Sequence, residues 1–277
     1  MATIKSNSLF HFTPKEEYLL DILENGFWPR YCSEDIEWLI PKDFKNELEK
    51  QEEDNFWKTL TKEFIKYNIS SIAYPMSCFC DIPLSKITAH TDFYGGFGLG
   101  MTKEWGIRKR LNPIFYLSDN SIIPNLIQSF LLKTAPIDFW KSIQSEKTNQ
   151  NTIIQLMKFL KPLRGKMKVN GKEVTKNFDE ECEWRYAPAS DENNLFPNFL
   201  PNFLANNEEL QDSNIVTKKV ASLNFEPSDI KYIFVPEDSN IPTIINKINT
   251  IFTNYPEHER LLLLSKVISL DTIRKDF

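Results

Sequence analysis

Long apolar runs are missing from this sequence. No window approaches the ~18 consecutive apolar residues of a membrane-spanning helix, so no contact with a bilayer interior is expected. An excess of positive charge is missing too: 33 basic against 38 acidic side chains leave a formal charge of −5. That argues against a chain that coats nucleic acid, and leaves only local basic patches for phosphate contacts. Cysteine occurs four times, at 32, 78, 80 and 182, and no apolar leader precedes them. Reduced thiols and a cytoplasmic setting are the corresponding expectation. Glycine is scarce, with 8 in 277 residues, so its placement carries information.

Four of those glycines, Gly95, Gly96, Gly98 and Gly100, fall in one stretch, 74–105, together with Cys78, Cys80 and His90. No Gly-Lys-Ser/Thr follows them and their spacing is not that of a dinucleotide fingerprint, so neither phosphate loop is present. The pattern reads as a glycine-rich turn entering a strand, with Tyr94 at the mouth of a site. Cys78 and Cys80 alternate along a strand over 72–81, without a second Cys/His pair at finger-like spacing. They are expected, with Cys182, to be buried and metal-free.

Apolar residues make up 41% and aromatics 13% of the chain, enough for a sizeable core. The expectation is one α+β domain over 1–277, a mixed, mainly antiparallel sheet with surrounding helices, carrying helical insertions at about 34–68 and 120–160. A strand at 8–12 places Phe10 and Phe12 on one side and Leu9 and His11 on the other. Thr13, Pro14 and Glu16 then read as the start of a helix, with Thr13 as N-cap, and Gly26 as its end. Asn170-Gly171 between alternating residues predicts a hairpin, in a basic segment that is either solvated or in contact with phosphates. Residues 191–212 read as a flap, and 215–225, 232–235 and 241–252 as strand, strand and helix.

Two places could carry chemistry. His11 ends a strand just before a helix, a common position for a ligand-binding side chain and equally for a paired core histidine. Further on, Glu181, Glu183 and Arg185 would share one face of a strand over 181–187, with Cys182, Trp184 and Tyr186 turned to the core. Two carboxylates and a guanidinium suit sugar hydroxyls or acid/base work; a surface ladder of opposite charges has the same pattern.

The order of these signals resembles the AbiGi family, bacterial proteins associated with abortive infection and phage defence, whose name carries an antitoxin label. The run Cys-Phe-Cys-Asp-Ile-Pro-Leu-Ser from Cys78, then His90, then Tyr-Gly-Gly-Phe-Gly-Leu-Gly from Tyr94 and Lys-Glu-Trp at 103–105 is its most specific part. The layout is also similar, more distantly, to ADP-ribosyltransferases of the His-Tyr-Glu kind. That likeness implies an ADP-ribosyltransferase-like fold with NAD as substrate and no metal. It implies His11 on the ribose, Tyr94 stacked on nicotinamide, Glu183 steadying the developing oxocarbenium, and Glu181 orienting the acceptor. Phe12, Thr13 and Arg185 would complete the NAD contacts. The implied function is an ADP-ribosyltransferase or NAD glycohydrolase toxin acting on protein, nucleic acid or water. The alternative is a non-catalytic antitoxin or nucleotide sensor bound to a partner toxin or phage component.

Overall fold

The computed structural model of the chain describes residues 6–36, 38, 71–133, 155–169, 172–189, 195 and 206–276. Strand β1, Ser8–Thr13, is buried on both faces: Leu9 enters one apolar cluster, Phe10 and Phe12 a second. Helix α1, Glu16–Asn25, starts later than its capping pattern suggests. Lys15 holds the N-cap position with no side-chain bond, because Thr13 is still paired in the sheet with Phe97. The Thr13 hydroxyl donates instead to the Lys15 carbonyl. Gly26 ends α1 at φ 78, a conformation that favours glycine.

Strand β2, Arg30–Asp35, pairs with β3, Ser71–Cys80, from Arg30↔Met76 to Asp35↔Ser71. Glu34 therefore sits in a strand and not at the head of a helix. The edge of β3 offers its backbone groups a ladder, and that outweighs the helical pattern read there. The insertion at 34–68 otherwise lies almost wholly outside the described residues. Helix α2, Ile87–Tyr94, stops at Gly95, and strand β4, Phe97–Thr102, follows. At Gly95, with φ 110, a Cβ would lie 2.3 Å from the Thr13 carbonyl oxygen, and at Gly98 one would lie 2.5 Å from the Phe12 ring. The scarce glycines thus let α2 and β4 close onto β1, which fixes Tyr94.

Thr102 caps the short helix α3, Lys103–Arg108, accepting from the Trp105 amide. Strands β5, Asn112–Pro113, and β6, Phe115–Leu117, precede helix α4, Ile122–Lys133; the rest of the 120–160 insertion up to 154 lies outside the described residues. Strand β7 is Leu160–Pro162. Strands β8, Arg164–Val169, and β9, Lys172–Asn177, form the expected hairpin, register Val169↔Lys172. Strand β10, Glu183–Tyr186, is shorter than expected, since Phe178–Glu181 is a 3-10 turn and Cys182 is left-handed at φ 44. Of the flap, 191–194 and 196–205 lie outside the described residues.

The predicted strand at 215–225 is helix α5, Asn207–Ala221. The β-branched Ile215-Val216-Thr217 run suggested a strand. Asn206 accepts from the Glu209 amide, acids fill the first turn and Lys218 and Lys219 the last, and these helix signals prevail. Strand β11, Ile230–Val235, helices α6, Ile241–Ile251, and α7, Glu257–Leu264, strand β12, Val267–Ser269, and helix α8, Leu270–Asp276, complete the described chain. The main sheet runs β12-β11-β4-β1-β3-β10-β5, with β2 added on β3. Its pairings are antiparallel except β11 with β12. One face packs Leu9, Leu99 and Ile233 under α1 and α6; the other packs Phe10, Phe12 and Phe234 under α2 and α8. The fold is therefore α+β with a mixed, mostly antiparallel sheet, as expected.

Candidate functional site

The strands that carry the scattered motifs are neighbours: β1 pairs with β3, and β3 with β10. The β1–β3 ladder consists of the single pair Phe10↔Cys80. One residue further on, it is the His11 side chain that bridges to β3: Nδ1 lies 2.8 Å from the Cys78 carbonyl oxygen. A carbonyl only accepts, so Nδ1 carries the hydrogen and Nε2 is left as an acceptor. Burial lowers the His11 pKa, partly opposed by that bond, and the nearby Arg30 charge lowers it further. The ring is thus a neutral acceptor suited to a hydroxyl.

A cavity of about 320 Å³ opens at this parting of the strands, lined by His11, Phe12, Tyr94, Glu181, Glu183 and Arg185 among others. Six of the seven residues named from sequence for the site meet there. Thr13 lies on the wall of an adjoining cavity of about 280 Å³ that also touches His11 and Phe12. Glu181 and Glu183 converge although they do not share a strand face: Glu181 belongs to the 3-10 turn, and the left-handed Cys182 brings its carboxylate round. Cys182 consequently faces outward and is only partly covered, not core-facing as its spacing implied.

Neither glutamate is a surface group. Glu181 is 5% and Glu183 6% exposed, and Arg185 is fully buried, which rules out the surface-ladder pattern. Arg185 Nε donates to Glu183 at 2.8 Å and its Nη2 to Glu34 at 2.7 Å, while Nη1 donates to the Lys158 carbonyl at 2.6 Å. Lys161 Nζ stands 3.2 Å from Glu183 and 3.5 Å from Glu181. Lys176 donates to Glu181 at 2.6 Å, and the Tyr94 hydroxyl donates to the same oxygen at 2.5 Å. Burial alone would raise the Glu183 pKa, but Arg185 and Lys161 outweigh it and hold the carboxylate at about 2. Glu181 is likewise held below the usual range, against burial, by Lys161 and Lys176. Burial and the Glu181 charge push the Tyr94 phenol far up. At neutral pH the site holds two fixed carboxylates paired with Lys161, Lys176 and Arg185, a neutral phenol and a neutral His11 imidazole: polar groups that can orient hydroxyls.

Three members were not singled out for the site. Glu34 stands at the head of the expected helical insertion at 34–68, which carries no motif. Lys161 and Lys176 were seen only as part of a basic segment, solvated or on phosphates; instead they are folded inward onto the glutamates. An excess of lysine just ahead of Glu-x-Glu was the available signal. His90 also lines the cavity, its ring 4.5 Å from that of Tyr94, and burial lowers its pKa to about 4. Cys78 and Cys80 line the same cavity, and burial holds both thiols protonated. Among the described residues no group of three or more His, Cys, Asp or Glu is placed to hold a metal, and no helix is long and apolar enough to cross a membrane.

Residues 25–236 match the profile of the family described as "Putative abortive phage resistance protein AbiGi, antitoxin". The chain is also similar to the abortive phage resistance protein AbiGi of Lactococcus lactis subsp. cremoris, 32% identical over 279 residues that cover 91% of this chain and all of that protein. No solved structure matches.

Proposed function

Since this chain belongs to the AbiGi family of bacterial abortive phage resistance proteins, we propose that its part in phage defence is carried out at the cleft by breaking the nicotinamide–ribose bond of NAD. The observation that carries this reading is the meeting of His11, Tyr94, Glu181 and Glu183 in one cavity. In that reaction the C1′–N bond breaks and its electron pair leaves with nicotinamide, which departs neutral. The ribosyl carbon gains positive charge, the nucleophile adds there, and its proton passes to solvent. Glu183, ionised and preorganised, is the group to meet that charge. His11 Nε2 accepts from a ribose hydroxyl, Tyr94 packs on the nicotinamide, and Glu181, too weakly basic to take a proton readily, orients the nucleophile. Phe12, Thr13 and Arg185 shape the NAD site around them. The fold this implies is ADP-ribosyltransferase-like, and the acceptor is water, a protein or a nucleic acid.

A second reading is favoured by a specific observation. Arg185 and Lys161 already satisfy Glu183, so the carboxylate is neutralised before any substrate arrives. With the antitoxin description of the family, this favours a non-catalytic module that binds a nucleotide and restrains a partner toxin. Incubating the purified chain with labelled NAD separates the two. Release of nicotinamide, lowered on the order of 100-fold by Glu183→Gln, supports the enzyme. NAD left intact by the wild type, with binding abolished by His11→Ala, supports the module.

A further inference from the structure

The cavity next to the glutamates has a different chemistry. Its wall includes Tyr18, Phe27, Trp28, Arg30 and Ser77, while His11, Phe12, Met76 and Cys78 line both cavities. We propose that the two form one bipartite site and that the Trp28 lobe takes the second base of a dinucleotide. This deepens the NAD reading and rests on it for the ribose-bearing half alone. Together the lobes fall within the ~300–1,000 Å³ of small-molecule sites.

Four features fit a base joined to phosphate. The Trp28 indole is held in place, its Nε1 donating to Asp21 at 3.1 Å, whose charge Lys218 answers at 2.7 Å. The Arg30 guanidinium lies 4.2 Å from the centre of that ring and 5.5 Å from that of Tyr18. A base entering the lobe therefore meets a cation–aromatic stack, the arrangement on which bases of any sequence bind. Arg30 is itself exposed and makes no ion pair among the described residues, so its charge is available to a phosphate at the mouth. Finally, Ser77 is buried, 5% exposed, and its hydroxyl has no hydrogen-bond partner. A buried hydroxyl left unpaired is costly, and a ring nitrogen or exocyclic amine of a base would satisfy it.

The test is calorimetric binding of NAD, AMP and nicotinamide mononucleotide to the full chain and to Trp28→Ala, Trp28→Phe and Ser77→Ala. Trp28→Ala should weaken NAD and AMP about tenfold or more while leaving nicotinamide mononucleotide within about twofold. Trp28→Phe should keep most of the affinity, and Ser77→Ala should cost NAD and AMP about threefold. If Trp28→Ala fails to fold on a thermal melt, the other two variants decide the matter. Equal losses for all three ligands, no loss for AMP, or no binding of AMP to the wild type each overturn the proposal. AMP lost in Trp28→Ala with NAD never cleaved would keep the base lobe and discard the NAD-cleaving reading. NAD cleaved, with affinity indifferent to Trp28 and Ser77, would do the reverse.

Discussion

Phe234 on β11 and Arg185 on β10 are both fully buried, at opposite ends of one sheet, and are held there by opposite means. Phe234 sits among the rings of Phe10, Phe12 and Tyr232 at centroid distances of 5.7, 5.2 and 5.6 Å. That packing is non-directional and needs only apolar volume. Around Arg185, three carboxylates, Glu34, Glu181 and Glu183, face three cations, Lys161, Lys176 and Arg185. Taking such groups out of water is so expensive that apolar replacements of similar volume are often as stable. The apolar end of the sheet accounts for folding; the charged end contributes little to it for its size, and it is the end where the proposed ligand site lies.

The sharpest way to break this contrast is to remove one charge. Arg185→Met leaves the buried Glu183 and the partly covered Glu34 without their shared partner and should cost on the order of 3–5 kcal/mol in urea unfolding. Phe234→Ala, which opens a cavity in the apolar end, should cost about as much; it reaches the cleft only through Phe10 and Phe12, which it packs against and which line the cavity, so it should lower ligand affinity less than Arg185→Met does. If Phe234→Ala abolishes binding as thoroughly as Arg185→Met, the two ends are not separable. Glu183→Gln tests the link between charge and activity. Although it lines the cleft, its bond to the buried Arg185 makes it structural as well. A loss of stability should therefore accompany the loss of turnover.

Acid should act mainly on the charged end. Glu183 is held at about 2 against a usual 4.5, so its contribution to stability is full above pH 4.5 and is lost as pH falls towards 2. His90, lowered from 6.5 to about 4, gains a proton on unfolding between those values, so stability also falls as pH drops through that window. Melting temperature should decline below about pH 6.5 and more steeply below about 4.5. Glu183→Gln should flatten the lower part of the curve, whereas Phe234→Ala should shift the whole curve without changing its shape. Identical shapes for both variants would contradict this. The smallest effect belongs to Thr102→Ala, which removes the cap on the Trp105 amide; about 1 kcal/mol should be lost, with nucleotide binding unaffected.

The amino-acid sequence by itself determined the strands that carry the site. Alternation of Leu9, Phe10 and Phe12 and of the residues of β3 marked buried strands, Asn170-Gly171 marked a hairpin, and Gly95 marked the turn after Tyr94. His11, Tyr94, Glu181, Glu183 and Arg185 were legible as candidates because unusual residue types sat at the ends of those elements. What only the tertiary structure decided was pairing over long separations. Glu34 is 151 residues from Arg185, and its role depends on β2 joining the edge of β3, which no local pattern announces. The helix at 207–221 was misread because Ile215, Val216 and Thr217 favour a strand locally while the cap and charges at its ends favour a helix. The lysines changed meaning most: in the sequence they are a basic surface, and in the fold they turn inward, because buried glutamates left without cations would be far costlier than lysines taken out of water.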